Sequence, residues 1–253
     1  SRLALLELPL LAMLLVLWRK PMSDTPRQAL LLALALNLGA LLALVGQTYQ
    51  TGADPWQLFA LWAALALPPA LAVRSDVLWA PWALVAAVGI SLWVQAHTGH
   101  SWRVHPDDLR VYLGGWGAAL ALVGALSAPL RGHTGAGPWA LRTALTLTIS
   151  GIAATALGGL FGSAVGLPYP LGLLALAAVA AALARRDAFD VYGLSAAALG
   201  LNVLLIAGLA RLLFHRHGGG EPIGQLLLLG LVAAGLLAGS VSGVLRLARD
   251  RKS

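Results

Sequence analysis

The side chains best suited to chemistry are the histidines. Five of the six fall in two short polar stretches, with His97, His100 and His105 in one and His215 and His217 in the other. Asp107, Asp108 and Glu221 accompany them. Imidazole and carboxylate donors suit Zn²⁺, Cu²⁺ or Ni²⁺, and an imidazole that titrates near neutrality suits a pH response. Yet His97-x-x-His100 beside a glycine is not a specific metal pattern. Solvated histidines in wet interfacial loops are the commoner case, so metal binding and pH sensing stand as minority readings. Other chemistry has little to work with. The chain has no Cys, which removes disulfides, thiolate catalysis and Cys-ligated metals. Gly218-Gly219-Gly220 lacks the strand, Lys and Ser/Thr of a phosphate-binding loop, and Gly-x-Ser-x-Gly is missing. No catalytic residue and no cofactor is expected.

A second constellation is the link Gly46-Gln47-Thr48-Tyr49-Gln50-Thr51-Gly52-Ala53-Asp54-Pro55, which leads directly into Trp56. Asp54 and Pro55 read as the N-cap and first residue of a helix. Gly46 and Gly52 permit positive φ, which would turn Gln47 and Tyr49 toward the bundle interior or the outer surface. These residues line a vestibule on the functional reading. On the plainer one they form a structured turn, with Tyr49 and Trp56 as interfacial anchors. Asn37 and Asn202 are the polar residues expected near mid-membrane. Each is able to hydrogen-bond between helices at ~0.6–2 kcal/mol, and helix–helix glue outweighs ligand contact as the reading of both.

The elements that must position these residues follow from composition. Of 253 residues, 59% are hydrophobic and 11% charged, and the mean hydropathy is +0.81. A soluble domain has ~45–50% apolar and ~25% charged residues. Apolar stretches cover Leu3–Trp18, Gln28–Val45, Trp56–Val73, Val77–Gln95, Val111–Leu130, Leu141–Gly162, Pro170–Ala184, Val191–Phe214 and Ile223–Leu245. A spanning helix takes ~20 residues, so the first and seventh are short. An open sheet leaves its edges unsatisfied in lipid, and these runs show no period-2 alternation. The expectation is an all-α, polytopic transmembrane bundle of about nine spans, between eight and ten. It forms one integral membrane domain over 1–253, and its start at Ser1 rather than Met suggests a lost N-terminal part.

With nine spans, Arg2, Arg103, Arg110, Arg211 and Arg216 fall on one side, and the other twelve of the seventeen Lys and Arg on the opposite side. Excess Lys and Arg mark cytoplasmic links, which places the C-terminus inside. The basic balance therefore speaks for orientation and lipid headgroups, not for nucleic acid. Val45-Gly46-x-x-Tyr49 recurs as Val165-Gly166-x-x-Tyr169, and Arg74 and His105 recur as Arg186 and His217. Such matches suggest a weak parallel four-helix repeat, against chance in Leu/Ala/Gly-rich sequence. Small residues recur every fourth position at Ser150, Ala154, Gly158 and Gly162, and again at Gly235, Gly239 and Gly243. In lipid such stripes serve helix packing.

The run Gly46-Gln47-x-Tyr49-x-x-Gly52-x-Asp54, followed by Leu58-Phe59-x-x-Trp62 and Leu67-Pro68, resembles the signature of a family of predicted bacterial inner-membrane proteins known only as a domain of unknown function. The likeness is specific over roughly Leu30–Trp93. It implies a bacterial inner membrane and many short-linked helices, and it brings no activity or substrate with it. The resulting expectation is a non-enzymatic membrane module or accessory subunit in the bilayer, with a membrane-protein partner or a second copy. A transporter or channel for a small solute is the alternative, and an extracytoplasmic metal or pH sensor the second.

Overall fold

A computed structural model describes residues 4–19, 22–49, 52, 54–99, 103–162, 164–216 and 222–251. His100 and His217 lie outside the described residues, as do the side chains of Tyr49 and His215. The described residues form ten α-helices and no strand: α1 (Ala4–Arg19), α2 (Asp24–Tyr49), α3 (Pro55–Val73), α4 (Asp76–His97), α5 (Leu109–Ala125), α6 (Arg131–Thr134), α7 (Pro138–Leu160), α8 (Pro168–Leu183), α9 (Val191–Arg216) and α10 (Pro222–Asp250). Among the described residues each of the nine apolar stretches centres on an α-helix, the fifth being divided after Ala125. Six helices are long and apolar enough to cross a membrane, or seven if the bent pair Pro106–Ala125 and Ala128–Thr134 counts as one span. Pro168–Leu183 and Glu7–Val16 are apolar but shorter. The all-α membrane architecture thus holds.

Local chemistry explains where the helices stop. The fifth apolar stretch is broken after Ala125, with a bend of 54°. Pro129 has no N–H to offer the carbonyl of Ala125, and the chain tightens into a short 3₁₀ turn at Ala128–Leu130. α2 runs on through Gly46 and Gln47 to Tyr49, so those residues are helical rather than part of the link. Gly46 does not turn the chain. It lets α3 come close, since a Cβ there would sit 2.9 Å from a methyl of Leu58. Gly52 does take positive φ, at +65°. Tyr49 ends α2 whereas Tyr169 lies in the first turn of α8, so the matched motifs occupy unlike places in their helices.

Two compact units share the chain: Ser1–Gly99 with Ala118–Ala144, and His100–Gly117 with Leu145–Ser253. In the first, α2, α3 and α4 pack in antiparallel sequence. The indole N–H of Trp62 donates to Ala35 O at 2.8 Å, and that of Trp82 donates to Ala63 O at 2.8 Å. Trp62 reaches the α2 backbone because residue 39 is glycine; a Cβ there would lie 2.4 Å from the indole ring.

In the second unit, α8 packs against α7 and α9. Gly193, Gly200 and Gly208 on α9 receive Leu183, Leu176 and Tyr169 from α8, an antiparallel register along the whole of α8. On the α7 side, Gly172 meets Ala156 and Gly159 meets Pro168. The buried stripe of α7 in this unit is Leu145, Ile149, Ile152, Ala156 and Leu160. Ser150 and Ala154, by contrast, are exposed. Of the expected four-residue stripe, Gly158 is therefore packed, against Val104, whereas Ser150 and Ala154 are not, because α8 approaches over the adjacent row.

Candidate functional site

The best-built polar assembly in the first unit lies where α3 turns into α4. Arg74 closes α3 in the left-handed region at φ 55° and ψ 40°, with its N–H bonded to Ala70 O. That conformation costs a non-glycine residue roughly 1–2 kcal/mol. It directs the guanidinium to Gly132 O. Ser75 caps α4 by accepting from Val77 N, and its hydroxyl donates to Gln28 Oε1 at 3.0 Å. Asp76 then reaches across to α7. Its carboxylate accepts the backbone N–H groups of Gly137 (2.9 Å), Trp139 (2.7 Å) and Ala140 (3.1 Å).

The reason is helix chemistry. The first N–H groups of a helix have no internal partner, and the positive end of its dipole favours an anion. α7 opens with Pro138, which fits the first turn of a helix, and takes its cap from a residue sixty positions upstream. Gly137 is required for this approach, since a Cβ there would lie 2.3 Å from the Asp76 carboxylate. Beside the clasp, Trp79 is 2% exposed and donates to Thr134 O at 3.0 Å. Trp139 is 64% exposed, and the Arg142 guanidinium lies 5.6 Å from its ring centroid. Basic and aromatic groups together are the signature of a membrane–water interface.

The far end of the α3–α4 hairpin carries the residues read from the 46–55 link. Asp54 does occupy the N-cap position, with Pro55 following, but its side chain makes no capping hydrogen bond; the first turn closes through Gln57 N to Asp54 O. Gln47 is exposed at the end of α2. His97 stacks on Trp93, with ring centroids 4.6 Å apart, and faces Trp56 at 6.2 Å. Its Nδ1 lies 2.8 Å from Trp93 O. The residue thus belongs to an aromatic cluster. Among the described residues no group of three His, Asp or Glu side chains converges to hold a metal. His105 is exposed just before the 3₁₀ turn Pro106–Asp108.

The two asparagines differ. Asn202, 5% exposed, donates from Nδ2 to Ser240 Oγ at 2.9 Å, and Ser240 donates to Leu237 O at 3.0 Å. It therefore ties α9 to α10. Asn37 keeps a buried Oδ1 with no hydrogen-bond partner among the described residues.

Elsewhere in the second unit, Tyr169 Oη donates to Leu204 O at 3.0 Å, and Arg211 donates to Gly162 O at 3.0 Å. Arg251 reaches Ala184 O and covers the Phe189 ring at 4.6 Å. Sequence reasoning named neither the Asp76 clasp nor the Tyr169 tie. Ser75 before an apolar run signals a cap, but nothing local in the sequence announces partners that lie sixty residues onward.

Comparison with known proteins places this geometry in one setting. Residues 1–79 match a family model described as "Predicted membrane protein (DUF2157)". The matched part covers α1 to α3 and the start of α4, including Gln28, Arg74, Ser75 and Asp76 of the clasp, and it is similar to membrane proteins whose activity is undefined. No curated protein and no solved structure matches the chain.

Proposed function

We propose that the chain is a non-enzymatic module of the bacterial inner membrane that packs against a membrane partner, another subunit or a second copy, through α10. The observation that carries this reading is the open face of α10. Gly235, Gly239 and Gly243 lie four residues apart, and a Cβ at any of them would meet open space. No residue of α10 from Ile223 to Asp250 is buried. On α9, in contrast, the glycines are filled by side chains of α7 and α8. Small residues in a membrane helix allow backbones to approach closely, and on α10 nothing among the described residues makes that approach. The ionisable residues of the described helices lie within the outer turns, which suits packing better than acid–base chemistry.

Nine crossings, with α1 and α8 as short spans and the bent pair as the fifth, fit the ties inside each unit. Gln28 meets Ser75 and Arg74 meets Gly132, while Arg211 meets Gly162 and Arg251 meets Ala184. Each pair joins links that alternate crossing puts on one face. α8 is about 24 Å long at ~1.5 Å per residue, against a ~30 Å hydrocarbon core, so local thinning accompanies it. The basic ends then set the C-terminus in the cytoplasm.

The cysteine-free sequence makes the test direct. Gly239→Cys in native membranes is expected to give a disulfide under oxidation, either to the same residue of a second copy or to a cysteine of a distinct partner. Gly239→Leu is expected to abolish the association while leaving the fold intact. A Gly239→Cys chain that stays monomeric under oxidation, with Gly235→Cys behaving alike, contradicts the proposal.

A further inference from the structure

An apolar cavity of about 100 Å³ opens in the first unit between α2, α3 and α4, lined among others by Leu32, Leu36, Ala66, Pro81, Leu84 and Val85. Trp62 and Trp82 also line it, but both indole N–H groups are already bonded to backbone carbonyls. No indole donor in the wall is left seeking a partner, so the cavity selects an apolar guest. Its rim is on the outside of the unit, because Leu36 is 52% and Leu84 47% exposed. An enclosed apolar cavity of ~150 Å³ admits benzene. One of about 100 Å³ with an open side suits a short run of methylene groups whose continuation lies along the two leucines.

The cavity also has a polar end. Leu78, another wall residue, donates its N–H to Ser75 O at 3.0 Å. Ser75 binds Gln28, one helical turn before Leu32. The walls formed by α2 and α4 therefore begin one turn from the clasp, where Arg27 and Arg74 are both exposed. A guanidinium has five N–H donors, and Arg74 uses one nitrogen on Gly132 O. Of the two carboxylates at this end, Asp76 is engaged with three backbone N–H groups and Asp24 is exposed at the start of α2.

We infer that the cleft between α2, α3 and α4 seats one acyl chain of an anionic phospholipid whose phosphate lies against Arg27 and Arg74. Chain and headgroup are recognised by different walls: apolar helix faces hold the first, and charge complementarity with fork-shaped donors holds the second. The inference rests on the membrane reading above.

The test is native mass spectrometry of the full chain in a non-ionic detergent, titrated with phosphatidylglycerol or with phosphatidylcholine of the same chains. The expected result is one retained phosphatidylglycerol, preferred over phosphatidylcholine. Arg27→Gln reduces that preference roughly fivefold, in keeping with the strength of one basic residue at a headgroup surface. Ala66→Phe fills the cavity and removes the retained lipid. Should that variant fold poorly, Leu36→Trp at the exposed rim blocks the same entry without entering the core. Retention of both lipids in equal and unsaturable number, unchanged by Leu36→Trp, overturns the inference. Equal binding of uncharged diacylglycerol and phosphatidylglycerol overturns it too, because the phosphate then contributes nothing. A chain found in membranes that retains no lipid sinks this inference alone, whereas a chain recovered outside membranes sinks the membrane reading with it.

Discussion

The Asp76 carboxylate joins the start of α4 to the start of α7. Its two oxygens close three N–H groups at the start of α7, so Asp76→Ala leaves those donors without their partner. A lost cap costs ~0.5–2 kcal/mol, and a hydrogen bond to a charged group contributes about 1.5–3 kcal/mol. Thermal unfolding in detergent is therefore expected to show a loss of about 2–3 kcal/mol for Asp76→Ala. Arg74 gives a second test at this scale. Arg74→Gly loses the tie to Gly132 but relieves the positive φ; Arg74→Ala loses the tie and keeps the strain. The alanine variant should be the less stable by about 1 kcal/mol in the same assay.

At this scale the sequence is only partly informative. Asp54 can be placed at a helix start because Asp-Pro before an apolar run is a local signal, and Asn202 can be read as interhelical glue because a buried amide must be paired. The Asp76 clasp is invisible because its acceptor and donors are joined only after the chain has folded. The neighbours of His97 are also invisible in the sequence: Trp93 and Trp56 make it a member of an aromatic cluster that its residue type does not announce.

Among the elements, the α8–α9 pair carries the clearest packing logic. Gly208 leaves room for Tyr169, whose Oη would lie 2.0 Å from a Cβ at that position, and so lets the phenol reach Leu204 O. Overpacking costs typically ~1–3 kcal/mol, and Gly208→Ala is expected to destabilise by that order. Tyr169→Phe should cost about 1 kcal/mol, the usual net value of one hydrogen bond. Because the clash is with the hydroxyl itself, the double variant should be more stable than the two single losses added together. Simple additivity in unfolding measurements would contradict the assigned contact. The long helices were legible, since apolar length marks a membrane helix, whereas the run of α2 on to Tyr49 and the short α6 were not. Helix faces were not: with lipid on one side and protein on the other, Leu and Ala serve both, and no polar stripe tells the buried row of α7 from Ser150 and Ala154. The α10 glycines stand out for the same reason, as a small-residue row with nothing packed on it.

On the scale of the whole molecule, the chain is a set of apolar helices suited to a bilayer, with polar ties both at their ends and between their middles. The composition made that class plain, and the match of residues 1–79 to a predicted membrane protein family agrees with it. The number of crossings was less legible, because a 16-residue helix such as α8 falls below the usual spanning length and a proline break divides the fifth stretch. Within the second unit the ends of α8 have named neighbours. Its start lies by Gly159 and its end by Arg251, so it runs from one end of the unit to the other. Val104 packs on Gly158, which puts the segment leading to Asp107 at the first of those ends, while Asp187 follows α8 at the second.

The most direct measurement uses the cysteine-free background: Asp107→Cys and Asp187→Cys, both at exposed positions, are treated in intact spheroplasts with a membrane-impermeant maleimide. The account predicts that residue 107 is labelled from outside and residue 187 only after the membrane is permeabilised. Labelling of both from the same side would contradict it.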